Sequence, residues 1–318
     1  MTNVSQGREG TRRVAQSGFS LLEMMVSIAI LLIVAGAVVS GMVQMNKVEG
    51  TVTNRTQMQS AVRNATELLE QEVGQAGRVA IPPQGITLTA NVPAPAGGPT
   101  AATVGVSSAS PLFVGEKLVV DTGANNEVVA LTAVNPAAST ITAAFTLGHA
   151  SGVPVLVEGS FPSGIVPPSF ANGSTATKLK LYGDINGDGN LEYVEYTCDT
   201  AAGNFYRNTM PLTVGAKPAL NPSMVLINNV QPNPGGTNCF TYQEKPVLGY
   251  PTNAVVNVGI TLTVRTQYPD PQTGQYQTES KALLNVAPRN VFYAWQMGNA
   301  GSSDRLQPIP PSVLALLP

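Results

Sequence analysis

The sequence predicts an α+β fold. One long N-terminal helix packs its outer half on an antiparallel β-sheet head, and the head carries a small inserted β-module. Three observations predict it. An apolar run extends from Leu21 to about Val43, a proline-free amphipathic stretch continues to about Gly77, and after Pro83 short alternating segments are separated by Gly-, Asn- and Pro-rich turns.

The apolar run contains one ionisable side chain, Glu23, between Leu21 and Met45. At 1.5 Å per residue, roughly 23 residues make a helix of about 35 Å, enough to cross a bilayer. A secretory signal peptide has a shorter apolar core, followed by a small-residue cleavage site. Here the run is longer, and the small residue, Gly18, precedes it. A plain signal anchor accounts for the hydrophobicity and the basic flank but not for Glu23, because a carboxylate in such a span is costly and usually functional.

From Lys47 to about Gly77, Val48, Val52, Met58, Val62, Ala65, Leu69 and Val73 fall near helical spacing, with Arg55 out of step. This is the stripe of a helix lying on a core. Gly74 and Gly77 weaken its end and Pro82-Pro83 stop it. The helix is expected over 19–77, with 19–46 spanning the membrane, and no proline interrupts it.

Residues 78–100 read as a linker. Residues 101–170 read as the inserted module, with strands Lys117–Asp121 and Val128–Val134 around a Gly123–Asn126 turn and a further strand at Ser139–Phe145. Phe161 to Phe170, with three prolines, reads as the exit linker. The head follows over 171–290, with strands at Lys178–Gly183, Tyr193–Cys198 and Asn204–Met210. Val256, Val258, Ile260, Leu262 and Val264 alternate in Val255–Tyr268, and an Asp270–Gly274 turn leads to the return strand Glu279–Pro288. The tail over 291–318 shows no structural signal.

Between the first two head strands, Asp184-Ile185-Asn186-Gly187-Asp188-Gly189-Asn190-Leu191-Glu192-Tyr193-Val194-Glu195 matches the twelve-position EF-hand calcium loop. Asp184, Asn186 and Asp188 offer oxygens at positions one, three and five. Gly189 permits the turn, Asn190 offers its carbonyl, and Glu195 stands at position twelve. A hard cation needs six to eight oxygens, and alternate residues of a tight loop aim theirs inward. The flanks are strand-like, so Glu192 is the alternative closing acid. The competing reading is a metal-free Asn/Asp/Gly hairpin turn.

The N-terminal segment resembles the prepilin leader of type IV pilins and type II secretion pseudopilins. Arg8, Arg12 and Arg13 lie in a polar leader (residues 1–18) ending at Gly18, Phe19 follows as the new terminus, and Glu23 stands at the fifth mature position. The resemblance implies cleavage after Gly18 and methylation of Phe19 by a prepilin peptidase/methyltransferase. It implies a single pass through the inner membrane with a periplasmic head, then assembly with other pilin or pseudopilin subunits through the apolar helix. There Glu23 meets the N-terminal ammonium of a neighbour. The phrases Val286–Asn290 and Asn204–Arg207 are similar to stretches in minor pilins of the PilW and pseudopilin-J type.

On that orientation Cys198 and Cys239, the only cysteines, are exported, and a disulfide is expected. Closing a loop of about 40 residues would stabilise the fold by roughly 3–4 kcal/mol. Two unpaired buried thiols are the alternative. Charged residues make up 11% of the chain and the net charge is −2, which gives no basic patch for nucleic acid. His149, the single histidine, sits in a Gly-His-Ala-Ser-Gly turn and is expected to be solvated. No catalytic motif is present, so the expectation is a structural subunit and not an enzyme. A membrane-anchored extracytoplasmic enzyme is the remote alternative, and a major pilin or pseudopilin the nearer one. The bulky inserted module favours a minor subunit over a repeating shaft subunit.

Overall fold

The structure, a computed structural model, describes residues 18–316 apart from Pro83 and Pro111. The leader before Gly18, with Arg8, Arg12 and Arg13, lies outside the described residues. Contacts divide the chain into two units, Met1–Thr53 with Asp270–Gly274, and Asn54–Pro269 with Gln275–Pro318.

Helix α1 (Leu21–Gln75) is continuous over 55 residues. In the first unit every α1 side chain from Leu21 to Met45 is exposed, and the helix is long and apolar enough to cross a membrane. The Asp270–Gly274 turn meets α1 in this unit. Thr51 Oγ1 donates to Asp270 Oδ1 at 2.6 Å, and Pro271 packs on Gly50, where a side chain would crowd it.

In the second unit α1 buries Met58, Val62, Ala65, Thr66, Leu69, Glu72 and Val73. The expected stripe thus begins at Met58. Val48 and Val52 are exposed, a correction that follows from their place outside this unit's core.

Residues 86–157 form the inserted module, in six strands. These are β1 (Ile86–Thr87), β2 (Thr100–Gly105), β3 (Lys117–Val120), β4 (Glu127–Asn135), β5 (Thr140–Phe145) and β6 (Pro154–Val157), in the order β1-β6-β3-β4-β5-β2. The two ends of that order meet. Leu88 bridges Val106, Thr89 N–H donates to Gly105 O, and Ser107 N–H donates to Thr87 O. The sheet therefore closes into a small antiparallel barrel, which removes its edges. Ile86, Leu88, Leu118, Val120, Ile141 and Phe145 fill the interior. Residues 86–100, expected as linker, thus supply the first barrel strand. The segment from Phe161, expected as an exit linker, is buried at Phe161, Ile165 and Val166.

Two four-stranded sheets make the head. One has β7 (Lys178–Gly183), β8 (Glu192–Asp199), β9 (Asn204–Pro211) and β10 (Val225–Asn228) in the order β10-β9-β8-β7. In the other, β13 (Ala254–Arg265) pairs with β11 (Val230–Gln231), β12 (Phe240–Lys245) and β14 (Thr278–Val286). The alternating Val256, Val258, Ile260, Leu262 and Val264 are all buried. Leu179, Leu181, Val194 and Tyr196 from the first sheet and Val258, Ile260 and Leu262 from the second share one core with α1. Cys198 on β8 is disulfide-bonded to Cys239, next to β12, so the bond joins the two sheets.

The C-terminal segment is structured, which corrects the expectation of a featureless tail. Helix α2 (Arg289–Asn299) buries Val291, Ala294 and Gly298, and α3 (Pro311–Ala315) buries Val313. Between them Gln307 acts as a strand partner. Its Nε2 donates to Lys117 O and Glu158 O, and its Oε1 accepts from Lys117 N–H.

Candidate functional site

At the N-terminus Ser20 and Glu23 form a reciprocal cap. Ser20 Oγ accepts from Glu23 N–H at 3.2 Å, and Glu23 Oε2 accepts from Ser20 N–H at 3.4 Å. This is the capping box of a Ser-x-x-Glu sequence, which satisfies two otherwise orphaned donors at the helix start. Gly18 and Phe19 precede the helix and are exposed. The peptide that a peptidase would cut therefore lies exposed ahead of α1, while the Glu23 carboxylate stays at the surface, one turn in.

The second site is the turn between β7 and β8. Asp184 is buried, and its Oδ1 accepts from Gly189 N–H at 3.3 Å. Asn186 Oδ1 accepts from Asp188 N–H, and Asp188 Oδ1 accepts from Asn190 N–H and Asn190 Nδ2. Gly187 and Gly189 have φ of 77° and 83°, so the tight turn requires glycine at both. Asn186 Nδ2 donates to Asp188 Oδ2 and to Glu192 Oε1. Asp184, Asn186, Asp188, Asn190 and Glu192 are thus gathered in one loop.

Glu195 is not among them. Three residues beyond Glu192 on a strand, it points to the opposite face. There it is buried beside Lys217 Nζ at 2.9 Å, Lys178 Nζ at 3.5 Å and Lys180 Nζ at 4.0 Å. Glu195 as the twelfth-position ligand is therefore corrected: in an EF-hand a helix brings that position back, and here a strand carries it away.

The loop's electrostatics are strained in one place. Burial pushes the Glu192 carboxyl up, and the neighbouring Asp188 charge adds to it, against the pull of Arg207. Asp188 is held below the usual carboxylate range by the Asn190 and Asn186 hydrogen bonds. One cation already stands at the rim, with Arg78 Nε 3.7 Å from Asp184 Oδ2. Among the described residues no three His, Cys, Asp or Glu side chains converge as a metal cluster, so any cation here would also draw on Asn and carbonyl oxygens.

Two further arrangements escaped the sequence reading. On α1, Glu72 accepts from Tyr196 Oη at 2.5 Å and from Arg207 Nη2 at 2.5 Å, so this buried acid on the helix's packed face is paired across the core. In the barrel, His149 is buried, not solvated, with its ring between Asp121 and Glu127. The Gly-His-Ala-Ser-Gly neighbourhood suggested a free turn, and nothing local to it shows that two distant carboxylates close over the ring.

No characterised protein and no solved structure gives a significant match to the chain. A family model described as the prokaryotic N-terminal methylation motif matches residues 13–39, the span holding Gly18, Phe19, the Ser20–Glu23 cap and most of the apolar run. The chain therefore carries a type IV pilin-like prepilin segment.

Proposed function

We propose that this protein is a minor subunit of a type IV pilus or type II secretion pseudopilus. On this reading a prepilin peptidase cleaves it after Gly18 and methylates it at Phe19. It is held in the inner membrane with its head outside, and enters the filament through α1. The methylation motif at residues 13–39 carries the reading. The closed barrel at residues 86–157 supports a rare position over a repeating one, because each added copy of so bulky an insertion must be accommodated in a shaft. The role is structural and not enzymatic, and the chain's only imidazole is held between two carboxylates.

The Glu23 carboxylate tests assembly. In an apolar filament core a lone charge is costly, and pairing with a neighbour's N-terminal ammonium offsets the desolvation of both. Glu23→Gln keeps the capping box, since Gln serves at that position as Glu does, and removes only the charge. The expected result is normal membrane insertion and cleavage with at least a tenfold loss from sheared filaments, read by immunoblot. Wild-type incorporation would count against the role.

A second reading concerns the Asp184–Glu192 loop, which we propose binds calcium through Asp184, Asn186, Asp188 and Glu192 with the Asn190 carbonyl. Its support is the bond from Gly189 N–H to the buried Asp184, together with the turn of Glu192 into the loop. A cation binding only the folded state adds about 2.7 kcal/mol at a hundredfold excess over Kd, or roughly 5–10 °C for a domain of this size. Melting of the full chain in detergent should rise by that amount with millimolar calcium over chelator, and far less with magnesium. Asp188→Ala and Glu192→Ala should abolish the difference. Glu195→Ala should lower melting equally in both conditions, and an unchanged wild-type melt with calcium refutes the site.

A further inference from the structure

His149 lies at the end of the barrel where the β3–β4 turn and the end of β5 meet. Its backbone is fixed by a reciprocal pair with Val92, whose N–H donates to His149 O at 2.8 Å and whose O accepts from His149 N–H at 2.9 Å. Its side chain is fully buried, with the Phe145 ring edge-on at 5.8 Å. Each ring nitrogen faces a carboxylate: Nδ1 is 3.2 Å from Asp121 Oδ2, and Nε2 is 2.6 Å from Glu127 Oε1.

Both carboxylates act elsewhere only as acceptors. Asp121 Oδ1 accepts from Thr122 N–H at 2.7 Å, which with the ring holds this carboxyl below its ordinary range. Glu127 Oε2 accepts from Thr146 N–H and Oγ1, and its Oε1 accepts from Leu147 N–H. Burial alone would raise the Glu127 carboxyl, but these donors and the ring bring it below the usual value. With both acids ionised, neither offers a proton, so each ring nitrogen must donate. A neutral imidazole has one N–H and would turn a lone pair toward one of the buried oxygens, an uncompensated polar contact in a water-poor site.

We propose that His149 is a doubly protonated ionic latch that closes this end of the barrel, making the barrel's fold sensitive to pH. The latch joins the two sides of the β3–β4 turn to the β5–β6 connection: Asp121 follows β3, Glu127 opens β4, and His149 lies between β5 and β6. The charged groups facing the ring among the described residues are Asp121 and Glu127. The β1–β2 segment contributes only the Val92 backbone, and β5 contributes the Phe145 ring. Both carboxylates titrate below their ordinary range in the folded chain, so the stability they contribute is present above those titrations and is lost as pH falls through them.

Because His149 is the only histidine, ¹⁵N-histidine labelling of the untagged full chain in detergent reports this ring alone, without a variant. At neutral pH both ring nitrogens should resonate as protonated, with ring N–H protons slow to exchange. Glu127→Gln should leave one ring nitrogen bare at neutral pH. Melting of the wild type should fall as acid protonates Asp121 and Glu127, while His149→Gln should melt lower near neutrality with a weaker acid dependence. A single bare nitrogen at neutral pH in the folded wild type overturns the latch. So does a ring that Glu127→Gln leaves doubly protonated at neutral pH.

Discussion

A chain in which Gly18 is replaced by leucine is expected to keep residues 1–18 and to remain in the membrane. A Cβ added at Gly18 would meet nothing within 4 Å among the described residues, Gly18 has no positive φ, and it lies before the first residue of α1. Leucine there costs the fold nothing: no packing is lost, no helix cap is touched, and the Ser20–Glu23 box stays intact. The substitution therefore isolates the one thing it changes, the fit of a side chain into a peptidase pocket shaped for glycine. Processing should fall to background, seen as an uncleaved chain by intact mass and as the absence of an N-methylated Phe19. Without a free Phe19 ammonium, Glu23 has no partner to offset its burial in a filament, so incorporation should be lost with cleavage. A Gly18→Leu chain recovered in filaments with its leader attached would remove the prepilin reading of this segment.

What the sequence made legible was local or periodic. The apolar run and the alternating β13 residues are patterns within a few turns of chain, and each is found where the pattern places it. The β3–β4 and β7–β8 hairpins follow from their glycine- and asparagine-rich turns for the same reason. The rest was decided by contacts between residues far apart. Barrel closure depends on Leu88 meeting Val106 across a Pro- and Ala-rich stretch that looks like linker. The C-terminal segment is ordered because Gln307 fills a strand's place beside Lys117, 190 residues away, which no periodicity announces. In the loop, spacing alone favoured Glu195, since the EF-hand pattern assumes a helix after position nine. The period of two along β8 turns that side chain to the lysines instead. Arg55, out of step with the apolar stripe, is exposed and outside the packed span, whereas Glu72, which the stripe did not include, is buried and paired within it.

Glu72→Ala is expected to destabilise the head strongly, by about 3 kcal/mol. Breaking a buried pair from one side leaves the other charge uncompensated, which typically costs about 3–5 kcal/mol. Arg207 keeps 24% side-chain exposure, so the lower end applies. The arrangement is more than one ion pair. Arg207 Nε donates to Glu72 Oε1 and Oε2 at 3.0 and 3.1 Å, Arg207 Nη2 donates to Oε1, and Tyr196 Oη donates to Oε2. Burial raises the Tyr196 hydroxyl well above its ordinary value, and the Glu72 charge raises it further, so it stays a donor across the working pH range. The contact ties α1 to β8 and β9 just before the helix ends, near the point where Asn290 Nδ2 of α2 caps the carbonyl of Gln75. A loss of about 3 kcal/mol corresponds to roughly 6–12 °C in melting temperature for a domain of this size. Glu72→Gln, which keeps two hydrogen-bonding groups and removes the charge, should cost less than Glu72→Ala. The double variant Glu72→Leu with Arg207→Met should recover most of the loss, because well-packed apolar residues can replace a buried pair at little cost. Thermal denaturation of the four chains in detergent measures the ordering. If Glu72→Ala melts within about 2 °C of wild type, a change of under 1 kcal/mol, the pair contributes no more than a surface bridge, and α1 is held by its apolar stripe alone.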